Sequence, residues 1–222
     1  MKERTEKEEA RILDAVRKQM MPAYQLGYAR GGHDFTHPQR MEKTADIIMN
    51  PIDPRYKADP LLVKISIQYH DIHRTTYFDR LKEEEKTGLI IDTLTKLGLL
   101  TNEIMLVIDA VTKHSRLNED SDSPVLVYLK DTDHLDIGAI GILRIAAHHQ
   151  IPPYNLEDFQ GKSPAKADEK LESHVEDIKF CLEWEDMLRT EGAKKLGQRR
   201  FAFMRQFILE IDRELKELEI IL

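Results

Sequence analysis

The sequence has few of the features that mark exported or membrane proteins. Its single cysteine, Cys181, excludes an internal disulfide and suits a reducing compartment. No stretch approaches the roughly 20 apolar residues that a bilayer-spanning helix needs. The amino-terminal segment MKERTEKEEARILDAVRKQ is highly charged and lacks the apolar core of a signal peptide. We therefore expect a cytoplasmic protein with no part in a membrane.

Basic residues are outnumbered as well: 33 lysines and arginines face 40 aspartates and glutamates, for a net charge of −7. Long nucleic acids need a basic surface to offset their phosphates, so this balance argues against them as partners. A small phosphorylated ligand is still compatible, because one metal ion and two or three arginines can reverse the potential inside a cleft. The apolar fraction of 41% and the charged fraction of 33% are those of a globular protein.

Helix-start signals recur along the chain. Proline occupies the place of a first helical residue in His37-Pro38, Asp59-Pro60 and Ser123-Pro124, and Asp59 and Ser123 are good N-caps. Thr5 and Glu8 have the spacing of a capping box. The predicted helices span residues 5–28, 38–49, 60–73, 81–97, 102–114, 124–136, 138–149, 169–191 and 194–221. This pattern predicts an all-α fold.

One segment allows two interpretations. VKISIQYH, residues 63–70, alternates apolar and polar residues, which is the period of a strand. The Asp59-Pro60 start, the length of the segment and the absence of partner strands favour a helix instead. A short buried strand is the alternative.

Nothing divides the chain convincingly, so we expect one domain over residues 1–222. Residues 150–168, QIPPYNLEDFQGKSPAKAD, form the only long irregular segment, which is typical of a lid over a cleft or of a plain surface loop. The last predicted helix carries an apolar stripe that should face the core. Its members are Met204, Phe207, Ile208, Ile211, Leu215 and Leu218.

The apolar run 61–69 ends in His70 and Asp71, two side chains that ligate divalent transition metals well. Adjacent residues of a helix point about 100° apart, so this pair can share an ion only when other segments approach it. The pair therefore predicts metal-capable partners elsewhere in the chain.

Three other predicted helices offer polar side chains at an end. His37 begins one helix, with Arg40 on the same face one turn later, and His114 closes another. Asp131 and Asp133 lie at the end of the helix that starts after Ser123. Convergence of these ends on one polar pocket would explain why buried-looking helices terminate in metal-capable groups.

Each of these residues has an ordinary explanation when it stands alone. A lone histidine near a helix end more often caps a carbonyl or faces solvent. An isolated His-Asp pair arises by chance, the two aspartates suit a surface, and Arg40 suits an ion pair on a solvated face. Only the joint order, His, then His-Asp, then Asp, favours a site. The ordinary explanation is assigned to His33, His148, His149 and His174.

That order, His37, then His70-Asp71, then Asp133, resembles the HD-domain superfamily of metal-dependent phosphohydrolases. HDFTHPQRM is similar to the family's first-histidine helix, and QYHDIHR to the helix with the His-Asp doublet. VIDAVTKHS and LKDTDHLDIGAIGILR resemble the His-Ser and Gly-Ala-Ile-Gly segments of a bacterial and archaeal branch. The resemblance extends over about residues 25–215. It implies an HD-like helical bundle over about 25–150 with additional C-terminal helices over 169–221.

The resemblance also implies a set of metal ligands. His37, His70, Asp71 and Asp133 would bind one divalent ion, with Asp131 as a supporting residue or an alternative ligand. Asp133 is preferred because TDHL occupies the place of ADRL or ADKL in the family. Two imidazoles and two carboxylates suit Mn²⁺, Co²⁺, Ni²⁺ or Fe²⁺ better than Mg²⁺, which prefers oxygen ligands.

In the implied mechanism, a metal-activated water attacks a phosphoryl group. Asp71 would bind the metal and orient the water, so it is a catalytic candidate as well as a ligand. His114 is the second catalytic candidate, and together with Arg40 and Arg144 it would hold the phosphate oxygens of the substrate. An ion pair is the alternative role for Arg144.

The function implied by the resemblance is hydrolysis of nucleotides, among them nucleoside triphosphates, or of related small phosphate esters. Hydrolysis of cyclic nucleotides or of guanosine tetraphosphate-type signals is the alternative within enzymes. A non-catalytic member that binds metal or nucleotide, and a helical interaction module without metal, are the alternatives outside them. The released group, phosphate or pyrophosphate, and the oligomeric state stay open.

Overall fold

The computed structural model describes residues 3–26, 36–73, 75–148 and 174–217. Within these ranges the chain forms helices and turns and no strand, which confirms the predicted all-α class. The predicted irregular segment 150–168 lies outside the described residues. No helix in the described ranges is long and apolar enough to cross a bilayer.

The helices are α1 (Glu6–Leu26), α2 (Thr36–Ile48), α3 (Pro60–Tyr69), α4 (Glu83–Lys96), α5 (Thr101–Lys113), α6 (Pro124–His134), α7 (Ala139–His148), α8 (His174–Leu182), α9 (Trp184–Met187) and α10 (Glu191–Glu217). A short 3₁₀ turn, Thr76–Phe78, precedes α4.

Helix α3 lies at the centre and packs against α1, α2, α5 and α6. It begins as predicted: Asp59 accepts a hydrogen bond from the Leu61 backbone N–H at 2.9 Å, and Pro60 is the first helical residue. The apolar side chains on all its sides are buried because neighbouring helices surround it. The segment is therefore a core helix, and the strand alternative is wrong.

The strand-like alternation of α3 has a specific cause. Its polar residues do not face solvent: Ser66 Oγ donates to the Leu62 carbonyl at 2.9 Å, and Gln68 Nε2 donates to Glu42 at 2.6 Å. Buried polar groups must find such partners, because an unpaired one costs about 1–3 kcal/mol. The alternation thus records buried hydrogen bonds rather than a solvated face.

The other predicted helix starts are largely present. The Thr5 backbone N–H donates to Glu8 Oε2 at 2.8 Å and the Glu8 backbone N–H donates to Thr5 Oγ1 at 3.3 Å, which completes the capping box. Ser123 Oγ accepts a backbone hydrogen bond from the first turn of α6 at 3.3 Å. Helix α2 begins at Thr36, so Pro38 is its third residue and not its first.

The predicted helix 169–191 is interrupted in its described part. Leu188 has an extended backbone, with φ −68° and ψ 129°. The next two amides, of Arg189 and Thr190, donate to the carboxylate of Asp131 at 3.0 and 2.8 Å and not to helical carbonyls. Thr190 Oγ1 then accepts from the Ala193 N–H at 3.2 Å and starts α10 at residue 191, three residues earlier than predicted.

Helix α10 lies tightly against the rest of the bundle. A side-chain carbon at Gly192 would lie 2.4 Å from the Ile48 carbonyl oxygen, so α10 crosses the end of α2 at a distance that only glycine permits. Of the predicted stripe, Met204 and Ile208 are buried but Phe207 is only partly so. The deepest aromatic of this helix is Phe201, fully buried. The Leu215 side chain and Leu218 lie outside the described part.

Replacing Phe201 by alanine should lower the free energy of unfolding by about 3–5 kcal/mol, because the vacated space lies in the core. Phe203, on the same helix and 43% exposed, is the matched control, and Phe203→Ala should cost less than about 1 kcal/mol. Urea denaturation followed by circular dichroism measures both. Equal losses for the two variants would contradict this packing.

Candidate metal centre

Two histidines follow directly on helices and are fixed in the same way. His70 comes after α3, and its Nδ1 lies 2.7 Å from the Ile67 carbonyl; His114 comes after α5, and its Nδ1 lies 2.8 Å from the Val111 carbonyl. A carbonyl only accepts, so each Nδ1 carries the proton and donates. Each bond satisfies a carbonyl at a helix end and turns Nε2 away from the helix.

His37, in the first turn of α2 and fully buried, is fixed by a carboxylate. Its Nδ1 lies 2.6 Å from Asp136 Oδ2. Arg40 donates to the same carboxylate from Nε and Nη2, both at 2.8 Å. Asp136 is thus held between a guanidinium and an imidazole, and the Nε2 atom of His37 faces the interior.

The Nε2 atoms of His37 and His70 lie 3.2 Å apart, and Asp133 Oδ1 lies 3.4 Å from His37 Nε2. One donor atom from each of these three residues lies within 4.8 Å of the other two. Two imidazole nitrogens at this distance repel unless a proton or a cation lies between them. Two nitrogens and a carboxylate oxygen suit a divalent transition metal, so this group of residues fits such an ion.

Asp71 and His114 border the group formed by these three residues. Asp71 is fully buried, and its Oδ2 lies 3.0 Å from His70 Nε2, although it is not among the three mutually close donors. The ring centre of His114 lies 5.4 Å from that of His70. Its Nε2 is buried and has no hydrogen-bond partner among the described residues. Of the four predicted ligands, the structure therefore groups three and places the fourth beside them.

No protein-family model matches the chain. The uncharacterized protein YpgQ of Bacillus subtilis is 27% identical over 192 residues, which cover 83% of this chain and 85% of YpgQ. The crystal structure of YpgQ in complex with ADP is similar to this chain with a TM-score of 0.64 and 22% sequence identity. The similarity covers 91% of this chain and 97% of that one. The crystal structure of an HD-superfamily hydrolase from Bacillus thuringiensis is similar with a TM-score of 0.67 and 19% sequence identity. That similarity covers 94% of this chain and 98% of that one. The chain has the HD-domain fold.

Within this HD fold, the two neighbouring aspartates of α6 have different surroundings. Asp133 faces His37, whereas both oxygens of Asp131 accept the backbone N–H groups of Arg189 and Thr190. Burial raises the pKa of Asp131 above its ordinary value, and the two amides only partly oppose this. Asp131 therefore connects α6 to α10, in place of the ligand or supporting role expected from the sequence.

Of the two arginines predicted to hold phosphate, Arg40 and Arg144, the structure describes the side-chain contacts of Arg40 alone. Arg40 is engaged by Asp136 and by the Thr36 hydroxyl, so its described contacts make it a positioning residue for His37. A phosphate contact by Arg40 stays a prediction. The side chain of Arg144 lies outside the described part of the structure.

The ionisable side chains of the candidate metal centre change one another's pKa values. Burial alone would lower the pKa of His37, but its hydrogen bonds to Asp133 and Asp136 raise it to about 9. Burial would raise the pKa of Asp133, but the hydrogen bond to His37 and the charges of His70 and His37 hold it well below its usual range. Burial, and then the neighbouring His70, lower the pKa of His114, so its Nε2 is an acceptor at neutral pH.

The sequence assigns Asp136 no role of its own beyond its place in LKDTDHLDIGAIGILR. It nevertheless follows Asp133 by about one helical turn, a spacing that places two carboxylates near each other. Its function depends on His37 and Arg40, which precede it by 99 and 96 residues, so only the tertiary structure reveals it.

Asp133→Asn and Asp131→Asn should separate a metal ligand from a structural carboxylate. Asp133→Asn should weaken Mn²⁺ binding by more than about tenfold, because a ligand is lost. Asp131→Asn should leave Mn²⁺ binding intact but lower the free energy of unfolding by about 1–3 kcal/mol, because one buried amide loses its acceptor. Calorimetric Mn²⁺ titration and urea denaturation in EDTA measure the two effects. Equal losses of Mn²⁺ affinity would contradict the assignment.

Metal binding should depend on pH through His37. With a pKa of about 9, this imidazole is protonated at neutral pH in the metal-free protein, and an ion at Nε2 must displace the proton. Apparent Mn²⁺ affinity should therefore rise by up to about tenfold per pH unit from neutrality and level off above about pH 9. Titration calorimetry in two buffers of different ionisation enthalpy measures both the affinity and the released proton. A flat profile would show that His37 Nε2 is not a ligand.

Proposed function

We propose that this protein is a metal-dependent phosphohydrolase of nucleotides, with nucleoside triphosphates among its substrates. The observation that carries the proposal is the group formed by the buried His37 and His70 and the partly buried Asp133, with donor atoms within 4.8 Å of one another. The similarity in fold to HD-superfamily hydrolases supports hydrolysis. The structure of YpgQ in complex with ADP supports a nucleotide as the ligand class.

Four side chains would hold one divalent ion: His37, His70, Asp71 and Asp133. Mn²⁺, Co²⁺, Ni²⁺ or Fe²⁺ suits this mixture of nitrogen and oxygen donors. When bound, such an ion lowers the pKa of a coordinated water and polarises a phosphoryl oxygen. The hydrogen bond from His37 to Asp136 raises the basicity of the imidazole and fixes its orientation, as supporting groups do at metal sites.

His114 and Asp71 supply the proton chemistry. The Nδ1–H of His114 is committed to the Val111 carbonyl, so its Nε2 presents a lone pair. Such a nitrogen accepts a proton from the attacking water and, once protonated, donates to a phosphate oxygen. The buried carboxylate of Asp71, next to His70, orients the same water.

A cavity beside His114 offers space for the rest of the substrate. Its volume is about 550 Å³, within the range of small-molecule sites, and it lies between α4 and α5. Ile91 and Val111 give it apolar walls, and Thr87 and Thr112 add hydroxyl groups. Because His114 lines this cavity and also lies next to His70, a nucleoside in the cavity would place its phosphates near the metal ligands.

Asp71→Ala should lower the turnover of nucleotides with Mn²⁺ by more than the ~10–100-fold that loss of a supporting group costs. Asp79→Ala, which removes an exposed carboxylate eight residues away, is the matched control and should stay within about twofold. Release of phosphate and of pyrophosphate is measured from nucleoside triphosphates, cyclic nucleotides and guanosine tetraphosphate. Full turnover by Asp71→Ala would refute the site. Bound metal without turnover of any compound by the unaltered protein would favour the non-catalytic alternative.

A further inference from the structure

A second, larger cleft lies on the outer side of Asp136. Its volume is about 1070 Å³, and α2, the start of α7 and α10 form its walls. Asp136 and Arg40 line it, so one carboxylate separates this cleft from the metal centre. The other lining residues that matter here are Lys43, Ile47, Ile140, Arg199, Arg200 and Phe203.

The lining of this cleft is basic, although the chain as a whole carries a net charge of −7. Both of its carboxylates are already engaged. Glu42 forms an ion pair with Arg17 and accepts from Gln68, and Asp136 binds Arg40 and His37.

Three cations of the lining have no carboxylate partner among the described residues: Lys43, Arg199 and Arg200. Arg200 donates instead to the Leu135 backbone carbonyl, and the charge of Asp136, which is already shared by Arg40 and His37, only partly offsets the burial of its guanidinium and the repulsion from Arg199. Cations gathered in a cleft create a local positive potential that favours an anionic ligand.

Large apolar side chains lie beside these cations. Ile47 is 55% exposed, Ile140 57% and Phe203 43%. Phe203 stacks on Phe207 with ring centres 6.5 Å apart, so its ring is held in place. A ligand that matches both features carries an anionic group at one end and an apolar or planar ring at the other.

A second copy of the chain fits this cleft less well. In a two-fold dimer centred here, Lys43, Arg199 and Arg200 would face the same cations of the other copy, and juxtaposed like charges oppose association. A long nucleic acid is disfavoured by the overall negative charge. The combination of charge and apolar surface therefore favours a small anion.

We propose that this cleft is a second ligand site, which binds a nucleoside phosphate separately from the metal centre. Lys43, Arg199 and Arg200 bind its phosphate groups, and Phe203 with Ile47 contacts its base. The proposal goes beyond the hydrolysis of nucleotides, because the occupant of this cleft lies on the outer side of Asp136, away from the ligands of the metal.

The test uses the full chain freed of metal with EDTA, so that no ion can hold a phosphate at the metal centre. ADP, GDP and CDP are titrated by calorimetry into the unaltered protein and into Arg199→Glu, Lys43→Glu and Lys195→Glu. Lys195 is exposed, lies on the same helix one turn from Arg199 and does not line the cleft, so Lys195→Glu is the matched control.

At least one of these nucleotides should bind the unaltered protein, more weakly as NaCl is added. Both cleft variants should weaken this binding by about tenfold or more, and Lys195→Glu should change it by less than about twofold. His70→Ala should bind it as the unaltered protein does, which separates this result from the fate of the proposed hydrolase. Circular dichroism confirms that each variant is folded.

Four outcomes would overturn the proposal. One is that none of the three nucleotides binds the metal-free protein. Another is that Arg199→Glu binds as Lys195→Glu does, or that His70→Ala abolishes binding, which would place the nucleotide at the metal centre. The last is that sedimentation shows a dimer that the cleft variants dissociate while nucleotide binding is unchanged, which would make the cleft a surface for self-association.

Discussion

The hydrogen bond at the Nδ1 atom of each central histidine determines the geometry of the candidate site. An imidazole whose Nδ1 is committed can direct only Nε2 elsewhere. Asp136 holds His37 in this way, and backbone carbonyls hold His70 and His114. Helices α2, α3 and α5 therefore present equivalent nitrogens to one small volume. Without these bonds, the buried imidazoles would carry unsatisfied donors and free rotamers in the middle of the bundle.

The chain supports this arrangement with charges as well as with packing. Buried charges are stable only when they are paired, and the carboxylates of Asp131, Asp133 and Asp136 each have a cationic or N–H partner. Arg40 is a good example: the sequence suggested a contact with substrate, and the structure gives it Asp136, which in turn binds His37. The same guanidinium lies at the edge of the basic cleft, so it contributes to two neighbouring environments.

Much of the architecture followed from local patterns in the sequence. Caps at Asp59 and Ser123 act over one turn, so they were predictable. His37, His70 and Asp133 were candidates because their joint order along the chain resembles that of the HD-domain superfamily. The local pattern alone does not show which of Asp131 and Asp133 faces the histidines, since two residues on a helix point about 200° apart and the orientation depends on packing. The preference for Asp133 came from the family resemblance.

The break in the helix after α9 could not be predicted from local patterns either, because it depends on a contact between residues far apart in the chain. The amides of Arg189 and Thr190 leave the helical pattern to bind Asp131, 58 and 59 residues earlier. The strand-like pattern of α3 misled for a related reason. Its Gln68 is a buried polar residue that donates a hydrogen bond to Glu42 of α2. A local pattern of apolar and polar residues cannot show such a contact.

The contact of Asp131 with the amides of residues 189 and 190 links α6 to the C-terminal helices. The last turn of α6 takes part both in the candidate metal centre and in the contact with the C-terminal helices. Asp133 faces His37, and Asp131 accepts hydrogen bonds from the two amides that precede α10. A chain ending after α7 would keep a buried carboxylate and lose the amides that stabilise it. We therefore expect the C-terminal helices to stabilise the last turn of α6, the turn that carries the candidate ligand Asp133.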